Sequence, residues 1–127
     1  MDAKIYPGKL CGTIKAPPSK SIAHRAIICS MLSGGKCNIS NLELTEDVLA
    51  TQNGVLTIAA RKDEVIDCHE SASTLRFLLF MAAALGRKVT FTGGPKLATR
   101  PLEPLLTLLK DHGIEYTIGG ENGWFPL

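Results

Sequence analysis

The chain has 127 residues, with fourteen Lys and Arg, twelve Asp and Glu and three His, a formal charge of +2. That length suits one domain, burying roughly two thirds of the surface of the unfolded chain, and the near balance of charge gives no ground for a nucleic-acid or membrane partner. Cys11, Cys29, Cys37 and Cys68 form neither a CxxC pair nor a Cys/His spacing suited to zinc, and the first residues lack a signal peptide's apolar core, so reduced thiols in a cytoplasmic protein are expected.

Alternating apolar and polar residues over Lys4–Lys15, broken by Pro7-Gly8 and Gly12, predict short strands and a turn before Pro17-Pro18. A helix follows from Ser19 or Ser21 to Leu32, with Ile22, Ala26, Ile27 and Cys29–Met31 on its apolar side and Gly34-Gly35 as its stop; Ser19 or Ser21 is the N-cap. Lys36–Ile39 reads as a strand, Thr45–Asn53 as a helix capped by Thr45, and Glu64–Asp67 as a strand. The helix Ser73–Leu85 contains the longest apolar run, Phe77 to Leu85, far short of the ~20 residues of a membrane span. Gly86 stops it; Lys88–Thr92 is a strand, Pro101–Lys110 a helix with proline in its first turn, and Glu115–Ile118 a last strand. The alternation points to an α/β fold.

Laid on itself with a shift of 52 residues, the chain shows an internal repeat. Ser19 and Ser21 fall on Ser71 and Ser73, Gly34 on Gly86, Lys36 on Lys88 and Ile39 on Phe91. Repeats of this kind bury a shared core by stacking, and "ENGWFPL" at residues 121–127 offers neither a capping helix nor a polar closing strand, so a fragment is expected.

Three segments could bind anions. "PPSKSIAHR" places Lys20-Ser21 at a helix start but has Ser19 where a P-loop has glycine, and its prolines supply no amide hydrogens, so a nucleotide loop is excluded. What stays open is an anion site at the helix start, with Lys20 and with Arg25 one turn on, or a capped helix with two solvated cations. "ESASTLRF" repeats the pattern with Ser71, Ser73 and Arg76. In "ATRPLEPLL", Arg100 before Pro101 sits at a third helix start, where a cation opposes the helix dipole unless an anion binds. Glu46 and Asp47 fit a helix's first turn for stability alone, and Asp47 could instead hold a hydroxyl or orient Lys20. His24, His69 and His112 are expected to be solvated or capping.

The order PPSKS-x-x-x-R, TEDV, ES-x-STLRF, TRP-x-x-PLL resembles the N-terminal part of the 5-enolpyruvylshikimate-3-phosphate synthase family, from "GKLCGTIKAPPSKS" to "LLKDHGIEYTIGGENG". The related UDP-N-acetylglucosamine enolpyruvyl transferases typically have Asn where Ser21 stands. The resemblance implies repeated βαβαββ units of the enolpyruvyl transferase fold, here incomplete, in a two-domain, usually monomeric cytoplasmic enzyme several-fold longer. Residues 1–13 would belong with the second domain and residues 14–127 with the N-terminal one. It implies transfer of the enolpyruvyl group of phosphoenolpyruvate to the 5-hydroxyl of shikimate 3-phosphate with release of phosphate, in aromatic amino acid biosynthesis, with no cofactor and no metal. Lys20 would touch both substrates and serve catalysis, Ser21 and Arg25 would hold shikimate 3-phosphate, Ala72 and Arg100 phosphoenolpyruvate, and Asp47, Ser73 and Arg76 would line the cleft. Ala72 stands where the family usually has glycine, which implies altered selectivity between phosphoenolpyruvate and larger inhibitors such as glyphosate. The stretch from Ala50 to Asp67 is shorter than the family pattern. Since the remainder of the enzyme is the missing partner, the chain alone is expected to be inactive; the alternative class is a non-catalytic phosphate-binding or interaction module.

Overall fold

Pro17 and Pro18 keep the backbone extended up to Ser19 (φ −74°, ψ 115°), and helix α1, Lys20–Leu32, starts there in the computed structural model, which describes residues 3–61, 64–120 and 123–127. The Ser19 hydroxyl accepts from the Ile22 amide at 3.4 Å, so Ser19 is the cap and Ser21 already lies inside the helix. Helix α2 spans Glu46–Ala60, strand β1 Val65–Asp67, helix α3 Ala72–Ala84, strand β2 Thr90–Thr92, the single turn α4 Pro95–Ala98, and helix α5 Glu103–Asp111.

β1 and β2 pair in parallel with Ile66 opposite Phe91, and α3 forms the crossover between them. Ile66 and Phe91 point inward while their strand neighbours are exposed or half-buried, which is the period of a one-sided sheet. Leu75, Leu78 and Leu79 of α3, Val48, Val55 and Ile58 of α2, and Ala23 and Ile27 of α1 close the core over that face. A second group, Leu97, Leu102, Leu106 and Leu109, brings α4 and α5 into the same core. The architecture is α/β.

α3 begins and ends 52 residues after α1, and the ends match bond for bond. Ser19 and Ser71 both cap through their hydroxyls, and Gly34 and Gly86 both leave the helix at positive φ with their amides on Met31 and Ala83 carbonyls.

Several expected elements differ. Lys4–Lys15 and Glu115–Ile118 form no strands, nor does Lys36–Ile39, because none of these segments has a hydrogen-bonded strand neighbour among the described residues. α2 continues past Asn53 through Gly54, where the missing Cβ lets Leu78 and Ile66 approach; it ends only at Arg61, which is left-handed at φ 59°. Thr45 occupies the cap position of α2, yet its hydroxyl makes no cap bond and is buried without a partner. α5 starts at Glu103 rather than Pro101, its carboxylate accepting from the Leu102 amide at 3.0 Å. α4 was not expected from the sequence, since one turn leaves no periodicity to read.

The tail also behaves differently from its composition. Leu127 is buried and exchanges both backbone hydrogen bonds with Phe91 (2.7 and 3.1 Å), so β2 has a partner on its second edge. Trp124 donates its indole N–H to the Arg100 carbonyl at 2.8 Å. Glu121 and Asn122 of that expectation lie outside the described residues. No helix among the described residues is long and apolar enough to cross a membrane.

Candidate functional site

The N-terminal halves of α1, α2 and α3 meet around a buried line of polar groups. His24 Nδ1 lies 2.7 Å from the Thr51 hydroxyl, Thr51 lies 2.7 Å from the Thr74 hydroxyl, and Thr74 donates to the Ser71 hydroxyl at 2.7 Å. Thr74 also donates to the Asp47 carbonyl at 3.2 Å, and its amide donates to Ser71 Oγ at 3.2 Å. All four residues are buried, so each bond replaces hydration that the groups lose on folding. This corrects the expectation for His24, which is neither solvated nor a helix cap. Its only sequence signal was its place one residue past Ala23 on the inward side of α1.

Above this buried line, Lys20 Nζ stands 3.4 Å from Asp47 Oδ2, both side chains partly open to solvent. Asp47 thus pairs with Lys20, a contact that fits the third of the roles left open from the sequence, beside helix-start stability and holding a hydroxyl. Arg25 reaches back along α1, donating to the Ser21 carbonyl at 2.7 Å, and its guanidinium lies 5.1 Å from the Phe77 ring of α3. α1 and α3 carry no acid in their first turns, so the positive ends of both helices are uncompensated beside Lys20, Arg25 and Arg76.

Ala72 is the first residue of α3 and is buried, while Ser73 beside it is exposed. Arg76 donates to the Pro101 carbonyl at 3.4 Å, which draws the loop bearing Arg100 towards α3. The Arg100 peptide is held by its amide on Leu97 O at 3.1 Å and by Trp124 on its carbonyl, and its guanidinium has no hydrogen bond or ion pair among the described residues. The structure therefore gathers Lys20, Asp47, Ser21 and Arg25 on α1 and α2. It ties Arg76 to the Arg100 loop as a second group, with no direct bond between the two groups among the described residues.

Electrostatics follow the burial. Desolvation pushes the His24 pKa below its usual value, and Lys20 and Arg25 push the same way against the partial opposition of Asp47. Burial, helped by Asp67, pushes the Cys68 thiol up to about 12, so it is inert. Among the described residues no group of three His, Cys, Asp or Glu is placed to hold a metal ion.

A third carboxylate is structural. Glu70 accepts from the Leu97 amide at 2.7 Å and the Lys96 amide at 3.4 Å, capping α4 from a distance. Two open grooves, of about 570 and 710 Å³, lie at the other end of the helices, one lined by Ile27, Met31 and Ile39 and the other by Leu79, Ala83 and Phe91. They contain none of Lys20, Arg25, Arg76 and Arg100; the first is largely apolar, and the second also carries Arg87, Lys88 and Glu115.

Comparison with known proteins places the sequence in a family. The family model described as EPSP synthase (3-phosphoshikimate 1-carboxyvinyltransferase) matches residues 5–65 and 50–127. A 3-phosphoshikimate 1-carboxyvinyltransferase of Clostridium perfringens (strain SM101 / Type A) is 41% identical over 137 residues, which take in 93% of this chain and 32% of that protein. Those of Clostridium kluyveri and Clostridium novyi are 41% and 38% identical, over 97% and 98% of this chain and 33% and 34% of their own lengths. The chain thus spans about a third of the length of these relatives, and alignments longer than its own 127 residues mean that they carry segments it lacks. No solved structure matches it. With the family model matched from residue 5 to residue 127, the chain belongs to the EPSP synthase (3-phosphoshikimate 1-carboxyvinyltransferase) family.

Proposed function

We propose that this chain forms one wall of the cleft in which an enolpyruvyl transferase joins phosphoenolpyruvate to the 5-hydroxyl of shikimate 3-phosphate. The observation that carries this reading is the pairing of two uncompensated helix starts, α1 and α3, with Lys20 braced by Asp47 beside them. Both substrates are dense anions, and cations with unpaired helix amides are the chemistry that holds such groups. Ser21 and Arg25 serve the phosphate of shikimate 3-phosphate, Arg100 and the α3 start at Ala72 serve phosphoenolpyruvate, and Lys20 touches both. Asp47, Ser73 and Arg76 line the cleft between them.

The reaction adds the hydroxyl oxygen to the enol carbon while the methylene carbon takes a proton, then loses phosphate and that carbon's proton. Two proton transfers need positioned acids and bases, and of the proposed site residues only Lys20 is suited to one of them. The remaining groups would come from the two thirds of the family sequence outside this chain. In this reading residues 14–127 are part of an N-terminal domain of βαβαββ units, and residues 1–13 pack with a second domain. The enzyme works in the cytoplasm without a cofactor, and Ala72 narrows the phosphoenolpyruvate pocket by one methyl.

Calorimetric titration of shikimate 3-phosphate into the chain, with Lys20→Ala as the comparison, tests the assignment. Weak binding by the parent chain and a loss of about tenfold or more in the variant are expected, in line with a hydrogen bond to a charged group. Equal affinity in the two proteins removes Lys20 from the site. Phosphate release from the two substrates is expected to stay at background; steady release well above it would show that this chain holds a complete catalytic set.

A further inference from the structure

We infer that His24 is a positioning residue for the start of α3, acting through a one-way chain of buried hydroxyls that runs from its Nδ1 to the Ser71 cap. The direction follows from counting protons, because each hydroxyl has only one to give. Thr74 faces Ser71 Oγ at 2.7 Å and the Asp47 carbonyl at 3.2 Å as the donor in both contacts, so its proton lies on that side. The 2.7 Å contact between Thr51 and Thr74 must then carry the Thr51 proton. Thr51 has none left for His24, and the 2.7 Å contact between them requires the hydrogen on Nδ1. In a reversed chain Thr74 would give its proton to Thr51, and the Asp47 carbonyl, which can only accept, would lose its donor at 3.2 Å.

Each link crosses to a different helix. His24 lies on α1, Thr51 on α2 and Thr74 on α3, and the last acceptor, Ser71 Oγ, also holds the Thr74 amide at 3.2 Å. The groups that face His24 are Lys20 and Arg25 on α1 and Asp47 on α2, while α3 presents the hydroxyls of Thr74 and Ser71. Burial, joined by Lys20 and Arg25 and opposed by Asp47, favours the neutral ring, whose one hydrogen the chain places on Nδ1. Ala72 and Ser73 follow Ser71 directly, and Lys20 lies one turn before His24. The chain therefore sets the distance between the two groups of residues that the proposed function assigns to different substrates, and this consequence rests on that reading.

The test begins without any ligand. A long-range proton–nitrogen correlation spectrum of the labelled chain near neutral pH is expected to show a protonated Nδ1 and an unprotonated Nε2 on His24. An unprotonated Nδ1 overturns the proposal. Amide exchange supplies the second readout: Thr51→Val and His24→Ala are expected to speed exchange at Thr74 by about tenfold. His24→Asn, which keeps a donor near the Nδ1 position, is expected to stay close to the parent rate. Exchange at Thr74 that is equal in all four proteins overturns the proposal. A phosphoenolpyruvate titration separates this inference from the assigned function. If the parent chain binds neither substrate, the functional reading fails while the spectrum and the exchange rates still decide the role of His24.

Discussion

At His24 a buried ring joins position to pH. Its pKa lies below the ordinary value of about 6.5, chiefly because burial penalises the charged ring. Between the folded and unfolded values the unfolded chain binds the extra proton, so stability rises with pH across that window. The contribution is complete above about pH 6.5 and is lost as the pH falls towards the folded pKa. Urea unfolding of the parent and His24→Asn between about pH 8 and pH 5 should show the parent losing more stability on acidification than the variant. A difference that stays constant over the range would mean that the ring does not titrate differently in the two states. Lys20 and Asp47 contrast with it. Their 3.4 Å pair is open to solvent, so its worth for stability is at most about 1 kcal/mol, and under the proposed function its importance lies in orienting Lys20.

At the scale of elements, the equivalent starts of α1 and α3 make a controlled comparison. Ser19 is exposed except for its cap bond of 3.4 Å, whereas Ser71 is buried and accepts both the Thr74 amide and the Thr74 hydroxyl. Ser19→Ala is expected to cost about 0.5–1 kcal/mol, within the range for caps. Ser71→Ala is expected to cost about 2 kcal/mol, because it also leaves a buried hydroxyl without an acceptor for its shortest bond. Denaturant midpoints of the two variants give the ranking, and equal losses would show that the buried hydroxyl line adds nothing to α3. Gly54 sets propensity against packing. Alanine in a helix interior is favoured over glycine by roughly 0.5–1 kcal/mol, but a Cβ here would run into Leu78 and lie 2.9 Å from Ile66 Cγ2. Both neighbours are fully buried, and overpacking costs about 1–3 kcal/mol. Gly54→Ala is therefore expected to destabilise by about 1 kcal/mol in the same measurement, and a gain would mean that the core yields there.

Across the whole molecule, what could be read from the sequence was what local chemistry decides. The serine starts and glycine stops of α1 and α3 are written in Ser19, Gly34, Ser71 and Gly86, and the cations of the site follow from those starts. What the sequence concealed depends on partners distant along the chain. Whether Gly54 stops or continues α2 is decided by Leu78 and Ile66, and whether His24 is wet or buried is decided by Thr51 and Thr74. The same reasoning explains the segment before α1. Its alternation suits a strand, yet a strand needs a neighbour, and without one among the described residues Ile5, Leu10 and Ile14 stand 89%, 100% and 91% exposed. Apolar side chains left in water contribute nothing to folding, so removing the residues before Gly12 is expected to change the unfolding free energy by less than about 0.5 kcal/mol. The same exposed groups form a sticky surface, and the truncated chain is expected to associate less at high concentration. Urea unfolding and sedimentation of the two chains measure these outcomes separately. A loss of about 1 kcal/mol or more would show that the segment packs on the folded body after all.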